Sequence, residues 1–125
     1  MIYLKINLKK SFFGDREFVL TENGGMRATA FRYASGVEAL KIENDRGYFI
    51  ILPFQGQQIW RACFDGRDLT MKSKFDEPRP TKEYLKTYGG FLLHCGIGAF
   101  GVPQENDSHP LHGEIPNAEY QSAYI

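Results

Sequence analysis

All three histidines of the chain, His94, His109 and His112, fall between Tyr88 and Asn117, in the run YGGFLLHCGIGAFGVPQENDSHPLHGEIPN. The same run holds six of the thirteen glycines and one of the two cysteines. Histidine moves protons near neutral pH, and glycine lets backbone approach a ligand or take a positive φ. A site is therefore expected here, and its chemistry can be narrowed by exclusion. His109-x-x-His112 with His94, Cys95, Glu105 or Glu114 could offer three ligands to zinc. Against that, the chain has no His-x-His pair and no Cys-x-x-Cys; no metal and no other cofactor is expected. Cys95 cannot use His94 as a base on a strand, because neighbours there point to opposite faces. The glycines from Gly96 to Gly101 have the outline of a dinucleotide fingerprint, but no helix follows, so that reading is excluded.

Acid–base chemistry on a polyol suits these residues best. Such a site needs a proton donor, a carboxylate base and neutral groups that fix hydroxyls. His109 and His112 can donate; Gln55, Gln57, Gln58, Asn106 and Asn117 can hold hydroxyls; Trp60 or a tyrosine can stack on a sugar ring. Glu105, Asp107, Glu114 and Glu119 supply carboxylates, none marked out by spacing. A lone histidine is more often structural than catalytic. Two histidines three residues apart in a Pro/Gly loop strengthen the catalytic reading for at least one.

The elements that must carry these residues read as strands. Ile2, Leu4, Ile6 and Leu8 alternate with Tyr3, Lys5 and Asn7, a period of two that predicts a half-buried strand over 2–8. Further strands are expected at Glu17–Leu20, Met26–Tyr33, Val37–Glu43, Tyr48–Leu52, Ile59–Phe64 and Arg67–Met71. Asn23-Gly24-Gly25, Asn44-Asp45-Arg46-Gly47 and Asp65-Gly66 supply turns between them. Tyr48–Leu52 does not alternate and is expected to be covered on both faces. Pro53 ends that strand. Thr81–Thr87 is the one helical candidate, with Thr81 as its cap. From Tyr88 the pattern returns to strand, and QSAYI at the end is strand-like. The closely spaced strands predict an all-β fold, an antiparallel β-sandwich with at most one short helix.

Bulk properties set the limits. At 125 residues, 42% hydrophobic and 24% charged, the chain is sized and composed as one folded domain, 1–125, or part of one. Fifteen basic and fifteen acidic residues give no electrostatic case for nucleic acid or an anionic membrane. Two cysteines and no signal-like N-terminus suggest reduced thiols, packed as small core residues, in a cytoplasmic protein. The strand-like C-terminal residues lead us to expect the N-terminal portion of a larger sheet, with exposed apolar surface or a homo-oligomer that hides it.

Several pieces, in order, resemble the aldose 1-epimerase (galactose mutarotase-like) superfamily, in its aldose epimerase-like branch. They are Pro53-Phe54-Gln55-Gly56-Gln57-Gln58-Ile59-Trp60, Phe64-Asp65-Gly66-Arg67-Asp68-Leu69, the stretch from Gly89-Gly90 to Gly101, and Leu111-His112-Gly113-Glu114-Ile115-Pro116-Asn117. The resemblance covers about the last three-fifths of the chain and matches the N-terminal half of such proteins. It implies a large antiparallel sandwich that binds a monosaccharide in a groove and interconverts its anomers without a cofactor. A carboxylate takes the anomeric proton while a histidine protonates the ring oxygen. The histidine of the His-Gly motif maps onto His112, with His109, Gln57, Trp60 and Asn117 as supporting sugar contacts. Tyr88 stands where sugar-phosphate epimerases have an arginine, which removes support for a phosphorylated substrate. The resemblance places the base carboxylate and second histidine in the later half, beyond Ile125. A non-catalytic carbohydrate-binding fragment and, less favoured, a cupin-like metal protein are the alternatives.

Overall fold

The computed structural model describes residues 3–125. Six strands follow one another: β1 Phe18–Asn23, β2 Met26–Arg32, β3 Glu38–Asn44, β4 Gly47–Ile51, β5 Ile59–Phe64 and β6 Arg67–Asp68. They pair in sequence order as one antiparallel sheet. This order follows from local chemistry, because short turn signals between alternating runs leave each strand beside its predecessor. The only helical pieces among the described residues are two 3-10 turns, Lys10–Phe12 and Tyr84–Lys86. The all-β expectation with at most a short helix therefore holds. One sheet is present among the described residues, and irregular chain covers both of its faces.

Alternation along the strands divides the core in two. Ala28, Ala30 and Leu40 face Leu8, Phe13 and Phe54, while Ala39 faces Val37, Leu52, Trp60 and Phe75 on the other side. The register slips between Ile50 and Ile51, so Ile50 opposes Arg61 and Ile51 opposes Ile59. Trp60 is the extra residue of that bulge, and it packs in the second cluster with no exposed surface. Every residue of β4 is half-buried; its two faces are covered, but neither completely.

Several expected elements do not form. Ile2 lies outside the described residues; residues 3–8 make no strand beyond a bridge at Asn7. Their partner is the other end of the chain. Ile6 N–H donates to Ile125 O at 2.7 Å, Leu8 N–H to Ala123 O at 2.9 Å, and Ile125 N–H to Ile6 O at 3.0 Å. Within that alternating run, Ile6 and Leu8 are thus used for a short pairing, with Leu8 and Ile125 turned into the first core cluster. The predicted helix at Thr81–Thr87 shrinks to the turn Tyr84–Lys86, since seven residues cannot sustain an isolated helix. The predicted strand after Tyr88 is reduced to a bridge between Leu92 and Ile59. β6 spans two residues rather than running on to Met71, because Leu69 N–H and the Thr70 hydroxyl both bond the backbone of Ala62. Both cysteines are free, but Cys95 is exposed and Cys63 half-buried, so neither is a fully buried core residue.

Candidate functional site

The segments 96–101 and 112–115 are laced together by their backbones. His112 N–H donates to Gly101 O at 2.9 Å, Gly96 N–H to His112 O at 3.1 Å, and Ile115 N–H to Gly96 O at 2.9 Å. Gly113 makes this approach possible: a Cβ there would meet Ala99 O at 2.4 Å and Gly96 O at 2.5 Å. A glycine following His112 is therefore a packing requirement. His112 itself takes a left-handed φ of 64°, a conformation that a non-glycine residue holds only when its surroundings enforce it. Its half-buried ring lies 4.5 Å from the Tyr84 ring, tilted by 57°. Tyr84 in turn stacks on Tyr88 at 5.3 Å, and Tyr88 meets Phe75 edge-on at 5.1 Å. This aromatic ladder ties the imidazole to the second core cluster. Among the described residues, nothing bonds the ring nitrogens of His112.

The other residues of this loop are more committed. His109 Nδ1 donates to Pro110 O at 2.8 Å, which leaves Nε2 facing Asp107 at 3.6 Å. The Glu114 carboxylate accepts from Ile97 N–H at 2.7 Å and Gly98 N–H at 3.2 Å. Its own backbone N–H, then those of Gly98 and Ile97, hold it below the usual carboxylate range. It is a strap on the glycine segment rather than a free base. The strapped loop presents Ile97 and Phe100 to solvent, 85% and 80% exposed.

The remaining predicted contacts lie elsewhere. Gln57, at φ 48°, lines a trough of about 390 Å³ over the first-cluster face of the sheet, together with His94, Leu40, Ile51 and Ile59. Trp60 cannot stack on a ligand, because it has no accessible surface; the bulge in β5 turned it inward. Asn117 is buried with its amide engaged: Oδ1 accepts from Gln58 Nε2 at 2.7 Å, and Nδ2 donates to Thr87 O at 3.2 Å. Gln58, also an expected hydroxyl ligand, is spent in the same way. Its Nε2 reaches Pro116 O at 2.6 Å and its Oε1 accepts from Gly89 N–H at 2.7 Å. These amides tie the strand entry at 58 to the segments at 87–89 and 116–117.

His109 and His112 therefore share one loop, Gln57 and His94 share the trough, and Asn117 floors a third location. Neither loop histidine lines the trough. Tyr84 and Tyr88 were not legible as site residues. Their i, i+4 spacing suggests a shared helix face, whereas they stack across a one-turn bend.

No group of His, Cys, Asp and Glu among the described residues is arranged to hold a metal ion. No helix among them is long and apolar enough to cross a membrane. No curated protein and no solved structure matches the chain. A family model does match, over residues 34–122, which takes in β3 through the His112 loop and the Gln58–Asn117 network. By that match the chain belongs to the DUF4432 family, a domain of unknown function.

Proposed function

We propose that this chain binds a monosaccharide beside the His112 loop, and that His112 is the proton donor of an anomer-interconverting reaction of the aldose 1-epimerase type. The observation that carries this reading is the state of His112. Its backbone is pinned in a left-handed conformation, its ring rests against Tyr84, and its ring nitrogens have no partner among the described residues. A half-buried imidazole so held is preorganised to give or take a proton from an incoming group. A neutral sugar also suits the chain's balanced charge, and the His-Gly motif supports the same assignment through its resemblance.

A second reading, carbohydrate binding without turnover, is favoured by Glu114. This carboxylate, two residues from His112, is occupied by backbone N–H groups and is a poor candidate for the base.

The test is a panel of free hexoses and pentoses, scored by saturation-transfer NMR for binding and by polarimetry for anomerisation. His112→Ala is expected to slow anomerisation by about 10²–10⁴-fold, the usual contribution of a general acid. An unchanged rate in that variant would remove His112 from the chemistry. Binding without any accelerated anomerisation would select the non-catalytic reading, and no binding of any sugar would end both.

A further inference from the structure

A cleft that none of the His112 loop lines lies where five segments of the chain converge. It holds about 260 Å³, with Phe54 and the buried Asn117 as its floor and Lys10, Glu38, Lys82 and Glu119 around it. None of these four charged side chains forms an ion pair or side-chain hydrogen bond with another described residue. Lys10 only rests over the Phe54 ring, at 5.4 Å.

Their backbones are fixed nonetheless. Glu38 is paired with Arg32 at the start of β3. Glu119 forms a bridge with Gln55, flanked by Gly56 N–H to Ala118 O at 2.7 Å and Tyr120 N–H to Phe54 O at 2.9 Å. Lys10 belongs to the first 3-10 turn, and Lys82 follows the turn in which Thr81 N–H donates to Arg79 O at 2.9 Å. The backbone of the rim is therefore set before a ligand arrives, and the entropic cost of binding falls on ordering the lysine and glutamate side chains.

We propose that this cleft is a binding site for a small zwitterion of the free α-amino acid class. The ligand's carboxylate would be drawn to the Lys10 and Lys82 ammonium groups, and its ammonium to Glu38 and Glu119. Opposite charges that share a cleft without pairing to each other remain available to a ligand that carries both. A singly charged ligand would gain one attraction and meet one repulsion, because a concave polar wall strengthens both. Pro80, exposed at the rim, offers apolar surface to the ligand's carbon atoms, whereas Phe54 and Val37 beneath are nearly fully buried.

The site is separate from the sugar reading and does not depend on it. Ligand-observed NMR of the intact chain with the twenty free L-amino acids tests it. 4-Methylpentanoate and 3-methylbutylamine then serve as leucine analogues that lack the ammonium and the carboxylate respectively. At least one amino acid is expected to bind saturably, and for leucine each single-charge analogue to bind at least ten-fold more weakly. Glu38→Gln, at a half-buried position, and Lys82→Met, at an exposed one, are each expected to weaken binding by about ten-fold. His112→Ala is expected to leave it unchanged. Failure of all twenty amino acids to bind would overturn the proposal. So would equal binding by the single-charge analogues, or binding that survives both rim substitutions.

Discussion

The Glu114 carboxylate caps the backbone N–H groups of Ile97 and Gly98 and so holds the loop that carries Phe100 beside His112. These bonds favour the ionised form, so the folded-state pKa is depressed. The strap's contribution is then complete above the ordinary glutamate range and is lost as pH falls through the lower folded value. The amide protons of Ile97 and Gly98 should titrate together with a midpoint below that of an unperturbed glutamate. A midpoint at or above that value would contradict the strap. Gln58 makes a different kind of commitment, wholly inside the protein. Gln58→Leu leaves Gly89 N–H and the Asn117 amide buried without their partner. That is expected to cost about 3 kcal/mol in urea unfolding, since each orphaned buried group carries a penalty of about 1–3 kcal/mol. A loss under about 1 kcal/mol would show that water replaces the missing bonds.

At the scale of elements, the bend between β4 and β5 does more than reverse the chain. Gly56 takes φ 61°, and a Cβ there would lie 1.9 Å from Pro116 O. The bend is thus pressed directly onto the segment that carries Asn117. Gly56→Ala is expected to destabilise the fold by about 3 kcal/mol or more, combining left-handed strain with a backbone clash. Gly66→Ala is the control. It has a similar φ of 71° but open space around the added methyl, and should cost only about 1–2 kcal/mol. Equal losses in the two, measured by thermal unfolding, would refute the clash. β2 through β5 were legible because short apolar runs, alternating or, in β4, continuous, lie between turn residues, and such strands form with near neighbours. The stretch after Tyr88 misled for the converse reason. Phe91-Leu92-Leu93 has strand-like residues, but only Leu92 finds a strand partner, Ile59. Apolar composition alone does not supply one.

At the scale of the whole molecule, the two ends of the described chain meet. Ile6 and Leu8 bond to Ile125 and Ala123 across the first-cluster face. Beside this pairing the face stays partly open. Leu4, Met26 and Tyr124 are 68%, 55% and 66% exposed, around cavities floored by Ala28, Ile42 and Ile51. Contiguous apolar surface of this kind binds hydrophobic dyes and favours self-association. Anilinonaphthalene sulfonate is expected to fluoresce with the native protein, and Leu4→Glu combined with Met26→Glu to reduce the signal. No enhancement in the native protein would mean that this face is covered in solution.

The sequence by itself determined the all-β class, the order of β2 to β5 and the concentration of histidines in one stretch of the chain. These depend on contacts within hairpins or on residue type alone. Tertiary structure decided which polar residues are free to act. Gln58 and Asn117 look in sequence like ligands for hydroxyls, but they bond each other across 59 positions of chain. Trp60 looks like a stacking platform, but a one-residue bulge sends it into the core. His112 is set apart in sequence only by its His-Gly motif, whereas its left-handed backbone and its place against Tyr84 come from the fold. The physical reason is common to all three. A side chain's chemistry is local, whereas its availability depends on partners that only the folded chain brings within hydrogen-bonding or van der Waals distance.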